Sequence, residues 1–137
     1  MIRGELKLNY RKIEINENID DKLDLLLMKI ARWHNLTPKL WKNDYKISEK
    51  DIEETISRIK NSQKKDLFLA VAENEQDDVQ GFIWACREEE AQDSALILSL
   101  YTAEKYRDHG VATNLKEMLE EWCRLEGINA IETTVHY

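Results

Sequence analysis

The chain has 137 residues, which fits one domain with a buried core, and its 42% hydrophobic content excludes an intrinsically disordered protein. Its formal net charge of −7 argues against DNA, RNA or an anionic membrane as the main partner, because those partners require a basic surface. A small anionic ligand held by one local positive site remains compatible with this charge.

The sequence predicts a protein of the cytoplasm that binds no metal. Residues 1–10 contain no apolar signal core, and the longest apolar run, residues 67–72, is far too short to span a bilayer. Cys86 and Cys123 lie in apolar patterns typical of buried free thiols in a reducing compartment. Two cysteines and three scattered histidines give no zinc-binding spacing.

The first half of the chain predicts one strand and two helices. Partial alternation of apolar side chains favours a strand over residues 6–15. Helical spacing begins after Asp20 or Asp21 and ends near residue 35, before a proline. After a loop over 36–47, Ser48 begins a second helix, where Asp51 completes a capping box and residues 47 and 52 form a hydrophobic staple.

The second half predicts three strands, a helix and a last strand. The strands cover residues 67–72, 79–86 and 94–102, and their short polar links predict an antiparallel meander. A strongly periodic helix covers 111–126 and ends at a glycine, and a strand over 128–135 follows. Because a helix joins the strands at 94–102 and 128–135, these two are predicted to be parallel. The fold class is therefore α/β (α+β), with one mixed sheet and the order β-α-α-β-β-β-α-β.

The turn between the strand at 94–102 and the helix at 111 is predicted to bind phosphate. The first amides of a helix lack internal partners and carry the positive end of its dipole. Gly110 permits positive φ and a close approach of a ligand to the backbone, and Ala112 keeps the next position small. Arg107 adds a forked cationic donor. The alternative interpretation is an ordinary strand-to-helix loop that needs one glycine.

This turn and its surroundings identify a family. The signature Arg or Gln, two residues, Gly, one residue, Gly or Ala is met by Arg107, Gly110 and Ala112. The wider match is carried by Leu100-Tyr101-Thr102, Tyr106, Glu121-Trp122, Gly127 and the segment from Ile131 to Val135. With these residues and the order β-α-α-β-β-β-α-β, almost the whole chain resembles the GNAT superfamily of N-acetyltransferases.

The resemblance implies an acetyl-CoA-dependent transfer of an acetyl group to a primary amine of a small molecule or a peptide. Acetyl-CoA would bind where the strand before the turn and the strand after the helix splay apart. Backbone amides of the turn would hold the diphosphate, and the end of the preceding strand would hold the pantetheine arm. The implied CoA-binding residues are Leu100, Tyr101, Thr102, Arg107, Asp108, His109, Gly110, Val111, Ala112 and Thr113.

The chain also departs from the family pattern. It is expected to be a single domain over residues 1–137 that lacks the family's C-terminal helix and last two strands. The segment 97–99 offers only Ser99 as a polar side chain, so the catalytic acid and base are not assigned. The alternative function is a non-catalytic CoA-binding or protein-interaction module. An exposed edge on the last strand predicts a homodimer built around residues 128–137, with a shortened chain as the other interpretation.

The acceptor side of the site is predicted at the end of the first helix and in the following loop. In the family that the chain resembles, this region shapes the acceptor pocket, which suggests substrate roles for Trp33, His34 and Tyr45. Packing is the alternative role for the tryptophan, since large aromatic side chains are usually buried for their apolar area.

Overall fold

The computed structural model describes residues 7–15, 21–36 and 48–133. The described residues fall into two compact units. The first contains those of Met1–Glu14 and Lys65–Tyr137, and the second contains those of Ile15–Lys64. The first unit carries the predicted phosphate turn.

The first unit is built on one five-stranded sheet. Its strands are β1 (Asn9–Lys12), β2 (Leu67–Glu73), β3 (Val79–Arg87), β4 (Ser94–Thr102) and β5 (Ala130–Thr133). They lie in the order β1-β2-β3-β4-β5. The first three neighbouring pairs are antiparallel and β4–β5 is parallel, which confirms the predicted mixed sheet and its parallel pair.

The central strands are apolar because both of their faces are buried. Every residue of β2 is buried, which explains its unbroken run of hydrophobic side chains where a half-exposed strand would alternate. In β3, Phe82, Trp84 and their neighbours are almost fully inaccessible. Strands of this composition depend on burial for their stability, at about 25 cal/mol per Å² of apolar surface.

A single amphipathic helix, α3 (Val111–Glu126), packs on one face of the sheet. Its buried stripe follows the predicted spacing and consists of Val111, Leu115, Leu119, Trp122 and Cys123. This stripe joins side chains of β2, β3 and β4 in one continuous apolar core. The helix ends at Gly127, whose φ of 72° is left-handed, and the amide of Ile128 donates to the carbonyl of Cys123 at 2.8 Å.

The C-terminal end of α3 is fixed by Arg87, the last residue of β3. Its Nη2 donates to the carbonyl of Glu126 at 3.1 Å, and its Nη1 donates to the carbonyl of Gln92 at 2.6 Å. Its Nε lies 3.4 Å from the carboxylate of Asp66. The guanidinium group thus satisfies one carbonyl at the end of α3, that of Glu126, where carbonyls have no partner within the helix.

The second unit is a helix pair, α1 (Asp21–Leu36) and α2 (Glu49–Lys60), which pack against each other. The predicted capping box is confirmed: the amide of Asp51 donates to Oγ of Ser48 at 3.1 Å, and the amide of Ser48 donates back to the Asp51 carboxylate at 3.3 Å. Between the helices, Nδ2 of Asn35 donates to Oγ1 of the buried Thr55 at 3.0 Å. Residue 47, the other half of the predicted staple, lies outside the described residues.

Three details differ from the sequence predictions. The first strand is only four residues long, Asn9–Lys12, although the amide of Ile13 also donates to the carbonyl of Leu69 on β2 at 2.8 Å. The last strand is described over Ala130–Thr133, inside the predicted 128–135. Cys86 is half-buried, whereas Cys123 is buried, and neither forms a disulfide. Within the described ranges, no helix has the length and apolar character needed to cross a membrane.

Candidate cofactor site

The link between β4 and α3 is short and firmly anchored. The amide of Ala103 donates to the carbonyl of Gln80 on β3 at 2.7 Å, which continues the β-sheet pairing by one residue. A single 3₁₀ turn, Glu104–Tyr106, follows, and the side chain of Tyr106 is buried in the core. These contacts hold the start of the predicted phosphate turn against the sheet.

The backbone of the turn alternates in the sign of φ. Arg107 has φ −65°, Asp108 has φ 66° and Gly110 has φ 80°. The ψ of Arg107 is 147°, so an extended residue leads into these two left-handed positions. Successive amide N–H groups in a turn conformation can form a concave surface that binds anions. Asp108 is one of only two non-glycine residues with positive φ in the described part of the chain, so the turn departs from ordinary backbone preferences here.

The amides of this turn are available to a ligand. Among the described residues, the amides of Asp108, His109 and Gly110 donate no hydrogen bond. The first internal bond of α3 runs from the amide of Asn114 to the carbonyl of Gly110 at 2.9 Å. Val111, Ala112 and Thr113 precede that bond, so their amides have no helical carbonyl to pair with. The predicted residues 108–113 thus provide a set of unpaired donors at the positive end of the α3 dipole.

The end of β4 offers a second set of backbone groups. Backbone hydrogen-bonding groups alternate between the two sides of a strand. Because the amide of Ala103 points toward β3, the amide and carbonyl groups of Thr102 and Leu100 point to the opposite edge. Over its described residues, β5 pairs with that edge along residues 94–97 of β4. Within the described residues, the edge from 98 to 102 has no strand beside it.

A β-bulge separates the paired and unpaired halves of β4. Trp84 pairs with Ser99 and Ala85 pairs with Ile97, so Leu98 is an extra residue with no Cα partner on β3. A bulge bends the strand and leaves the amide of the extra residue outside the regular pairing.

The bulge also decides which side chains point toward α3. Ile97 and Leu100 both pack in the core beneath the helix, although three positions separate them. Tyr101 therefore lies on the opposite face, where its ring stacks on Phe82 with centroids 6.0 Å apart. Of the predicted residues on β4, Leu100 and Thr102 offer backbone groups to the outer edge, whereas Tyr101 directs its own toward β3.

Two contacts that the sequence did not predict position the turn. Gly81 on β3 lies directly beneath the first turn of α3 and leaves no room for a Cβ atom. On the same turn of the helix, Nδ2 of Asn114 lies 3.1 Å from the hydroxyl oxygen of Tyr10 on β1. A glycine in a strand that otherwise contains large apolar residues is the only signal that could have indicated Gly81 beforehand.

The predicted acceptor residues belong to the second unit. Trp33 and His34 lie half-buried near the end of α1, and Lys29 places its ammonium group 5.9 Å from the Trp33 ring centroid. Burial lowers the pKa of His34, and the positive charge of Arg58 lowers it further. Tyr45 lies outside the described residues. The acceptor roles of all three stay predictions.

In the part of the chain that the structure describes, no cluster of three or more His, Cys, Asp or Glu side chains could hold a metal ion. A hydrogen bond that the protonated Glu88 donates to Glu132 on β5 raises the pKa of Glu88, as does the negative charge of that neighbour. The site is therefore defined by backbone donors and not by ionisable side chains.

Comparison with known proteins identifies the family. The model of the acetyltransferase (GNAT) family matches residues 29–137, so the chain belongs to this family and the predicted membership is confirmed. No curated protein sequence matches the chain at a significant level.

Solved structures support the fold. A GNAT family acetyltransferase from Staphylococcus aureus subsp. aureus superposes with a TM-score of 0.74 at 23% identity, over 89% of this chain and 96% of that one. AAC(6')-Iy in complex with the bisubstrate analog CoA-S-monomethyl-acetylneamine gives 0.64 at 15% identity, over 95% and 80%. An aminoglycoside acetyltransferase from an uncultured soil metagenomic sample, in complex with sisomicin, gives 0.63 at 12% identity, over 94% and 78%. Likeness at these identities concerns the fold alone.

Proposed function

We propose that this protein is an N-acetyltransferase that transfers the acetyl group of acetyl-CoA to a primary amine of a small molecule or a peptide. The observation that carries the proposal is the set of amides at residues 108–113, which have no partner among the described residues. They follow a strand whose outer edge from 98 to 102 has no described strand beside it. Membership of the GNAT acetyltransferase family supports acetyl transfer as the reaction.

The turn fits the diphosphate of CoA. The amides of Asp108, His109 and Gly110 and those of the first helical turn would donate to its oxygens, with the positive end of the α3 dipole behind them. This attraction is local and made largely of backbone dipoles, so a chain with a net charge of −7 can still hold an anionic ligand.

The outer edge of β4 fits the pantetheine arm. The arm contains two amide groups, and an extended chain that lies beside a strand edge can exchange hydrogen bonds with it as an added strand would. Leu100 and Thr102 would supply those backbone groups. The two subsites together would direct the thioester along β4 toward the bulge at Leu98.

The bulge at Leu98 is the proposed source of an amide donor for the negative charge that would develop in the reaction. In the reaction, the amine nitrogen bonds to the thioester carbonyl carbon and the C–S bond then breaks. The displaced thiolate takes up one proton, and the new amide nitrogen loses one. We assign the stabilisation of the intermediate oxyanion to the Leu98 amide, because a bulge leaves this group outside the β-sheet pairing. The acid and base stay unassigned.

The acceptor is proposed to be an amine because of the family reaction. Two of the structural neighbours are aminoglycoside acetyltransferases, one of them bound to sisomicin. Aminoglycosides, polyamines and peptides with a free N-terminus are therefore the first acceptors to test. Trp33, His34 and Tyr45 remain the proposed residues on the acceptor side.

Two measurements test the proposal. CoA should raise the melting temperature, since a ligand that binds the native state stabilises it by mass action. Acetyl-CoA supplied with a panel of amines should then release free thiol at a rate that depends on the amine. Binding without thiol release would favour the alternative, a non-catalytic CoA-binding module. Absence of both binding and thiol release would reject the proposal.

A further inference from the structure

The side chain of Arg107 bonds to the strand that precedes it. Its Nε donates to the backbone carbonyl oxygen of Thr102 at 3.2 Å. That carbonyl is one of the groups on the outer edge of β4, pointing away from β3. The contact thus connects the first residue of the phosphate turn directly to the last residue of the strand.

We propose that Arg107 is a positioning residue that sets the distance between the two halves of the CoA site. The inference rests on the proposed function, in which the β4 edge holds the pantetheine arm and the turn amides hold the diphosphate. CoA can gain affinity from binding at both places at once only if the protein holds the two sets of backbone groups at the distance that separates the diphosphate from the pantetheine arm.

The geometry of the link explains why such a contact is needed. Four residues separate Thr102 from Arg107. The Ala103 amide fixes the first of them, and the buried side chain of Tyr106 fixes the last. At its end, the amide of Arg107 donates to the carbonyl of Glu104 at 3.2 Å, a bond within the link that does not reach the sheet. The side-chain bond to Thr102 returns the end of the link to β4.

This role depends on one N–H group and not on the positive charge. Glutamine places its Nε2 at the same number of bonds from Cα as the Nε of arginine, so Arg107→Gln retains a donor for the carbonyl without the charge. Lysine has a methylene group at that position, so Arg107→Lys keeps the charge and lacks the donor there. Arg107→Met removes both the charge and the donor while keeping a side chain of similar length.

Calorimetric titration of CoA into the wild type and the three variants separates the two roles. We expect Arg107→Met and Arg107→Lys to weaken CoA binding on the order of tenfold, which is the effect expected from losing one hydrogen bond. Arg107→Gln should recover most of that loss. Recovery by lysine but not by glutamine would overturn the inference in favour of a direct phosphate contact. Equal affinity in all four proteins would also overturn it.

A second readout does not depend on CoA. In ¹H–¹⁵N spectra of the free protein, the amide signals of residues 108–110 should shift in the Met and Lys variants and return toward their wild-type positions in the Gln variant. Signals that stay unchanged in all variants would contradict the positioning role. Failure of the wild type to bind CoA would reject the proposed function, while these spectra would still decide whether Arg107 orders the turn.

Discussion

Gly81 and Val111 lie so close together that a Cβ atom on Gly81 would be 2.9 Å from Cγ1 of Val111. The same Cβ would lie 3.0 Å from the backbone oxygen of Tyr101. Val111 is the first residue of α3, so the absence of a side chain at Gly81 lets the start of the helix rest on the sheet. The depth of the phosphate turn relative to β4 is therefore set by a glycine on the neighbouring strand.

Gly81→Ala should destabilise the protein by about 1–3 kcal/mol, because one of the two obstructing atoms belongs to the backbone and cannot rotate away. CoA affinity should fall as well, since the start of α3 must lift from the sheet. Urea denaturation gives the first quantity and titration with CoA gives the second. An alanine variant within 0.5 kcal/mol of the wild type, with unchanged affinity, would show that the contact does not set the turn.

Arg87→Met should cost stability without reaching the CoA site. The guanidinium group is mostly buried and serves the carbonyls of Gln92 and Glu126 together with the Asp66 carboxylate, so its removal leaves several polar groups without their donor. The free energy of unfolding should fall by roughly 2 kcal/mol, because the acceptor groups that lose their donor are themselves partly exposed. CoA affinity measured well below the melting temperature should stay within twofold of the wild type, because Arg87 lies at the opposite end of α3. A large loss of affinity at that temperature would contradict this separation.

The stability of the fold should depend on the protonation of His34. Burial lowers the pKa of this histidine below its ordinary value, and the charge of Arg58 lowers it further. The unfolded chain therefore binds a proton more readily than the folded one. The stability that the neutral side chain provides is complete above about pH 6.5, the unfolded value, and is lost as the pH falls toward the lower folded pKa.

Urea midpoints at pH 7.5 and pH 5 provide the test. The wild type should lose more stability on acidification than His34→Gln, whose neutral side chain does not titrate. Equal losses in the two proteins would remove His34 as the cause.

A homodimer built around residues 128–137 stays a proposal, in which the edge of β5 pairs with a second copy of the chain. Among the described strands β5 ends the order, all four of its residues are exposed, and Ile131 keeps 39% of its surface accessible. An unprotected edge with an apolar residue favours edge-to-edge association. Sedimentation equilibrium should give twice the 16.2 kDa monomer mass at high concentration, and Ile131→Lys should weaken the dimer. A monomer at every concentration would exclude it.

The order of the helices and strands could be predicted from the sequence alone, because a local pattern of residues indicates each of them. The α3 stripe repeats every three to four residues from Val111 onward, and Ser48 with Asp51 is a capping pair that depends only on neighbouring residues. The parallel pairing of β4 and β5 followed from the helix that joins them. The amide turn was likewise visible, since Gly110 stands directly before that helix.

Features that join distant parts of the chain could not be predicted in this way. The bulge at Leu98 is a property of the register between β3 and β4, and no residue type in either strand predicts it. Gly81 matters because residues 30 positions later pack on it, and Arg87 matters because it reaches Glu126. The bond from the Arg107 Nε to the carbonyl of Thr102 was not predicted either, while the expected role of this side chain in binding phosphate stays a prediction.

The central claim is that the amides beside Gly110 bind the diphosphate of CoA, and two glycines of this one helix allow a controlled test. Gly110 precedes α3 with φ 80° and Gly127 follows it with φ 72°, and a Cβ on either would meet no atom within 4 Å. Alanine at each should therefore cost a similar amount of stability, about 1 kcal/mol, from the left-handed backbone alone.

The decisive measurement is the dissociation constant of CoA for Gly110→Ala relative to that for Gly127→Ala. We expect Gly110→Ala to bind CoA at least tenfold more weakly than the wild type, because its Cβ would occupy the space in front of the turn amides. The dissociation constant of Gly127→Ala should be unchanged. Equal dissociation constants for the two variants would contradict the assignment of the phosphate site to this turn.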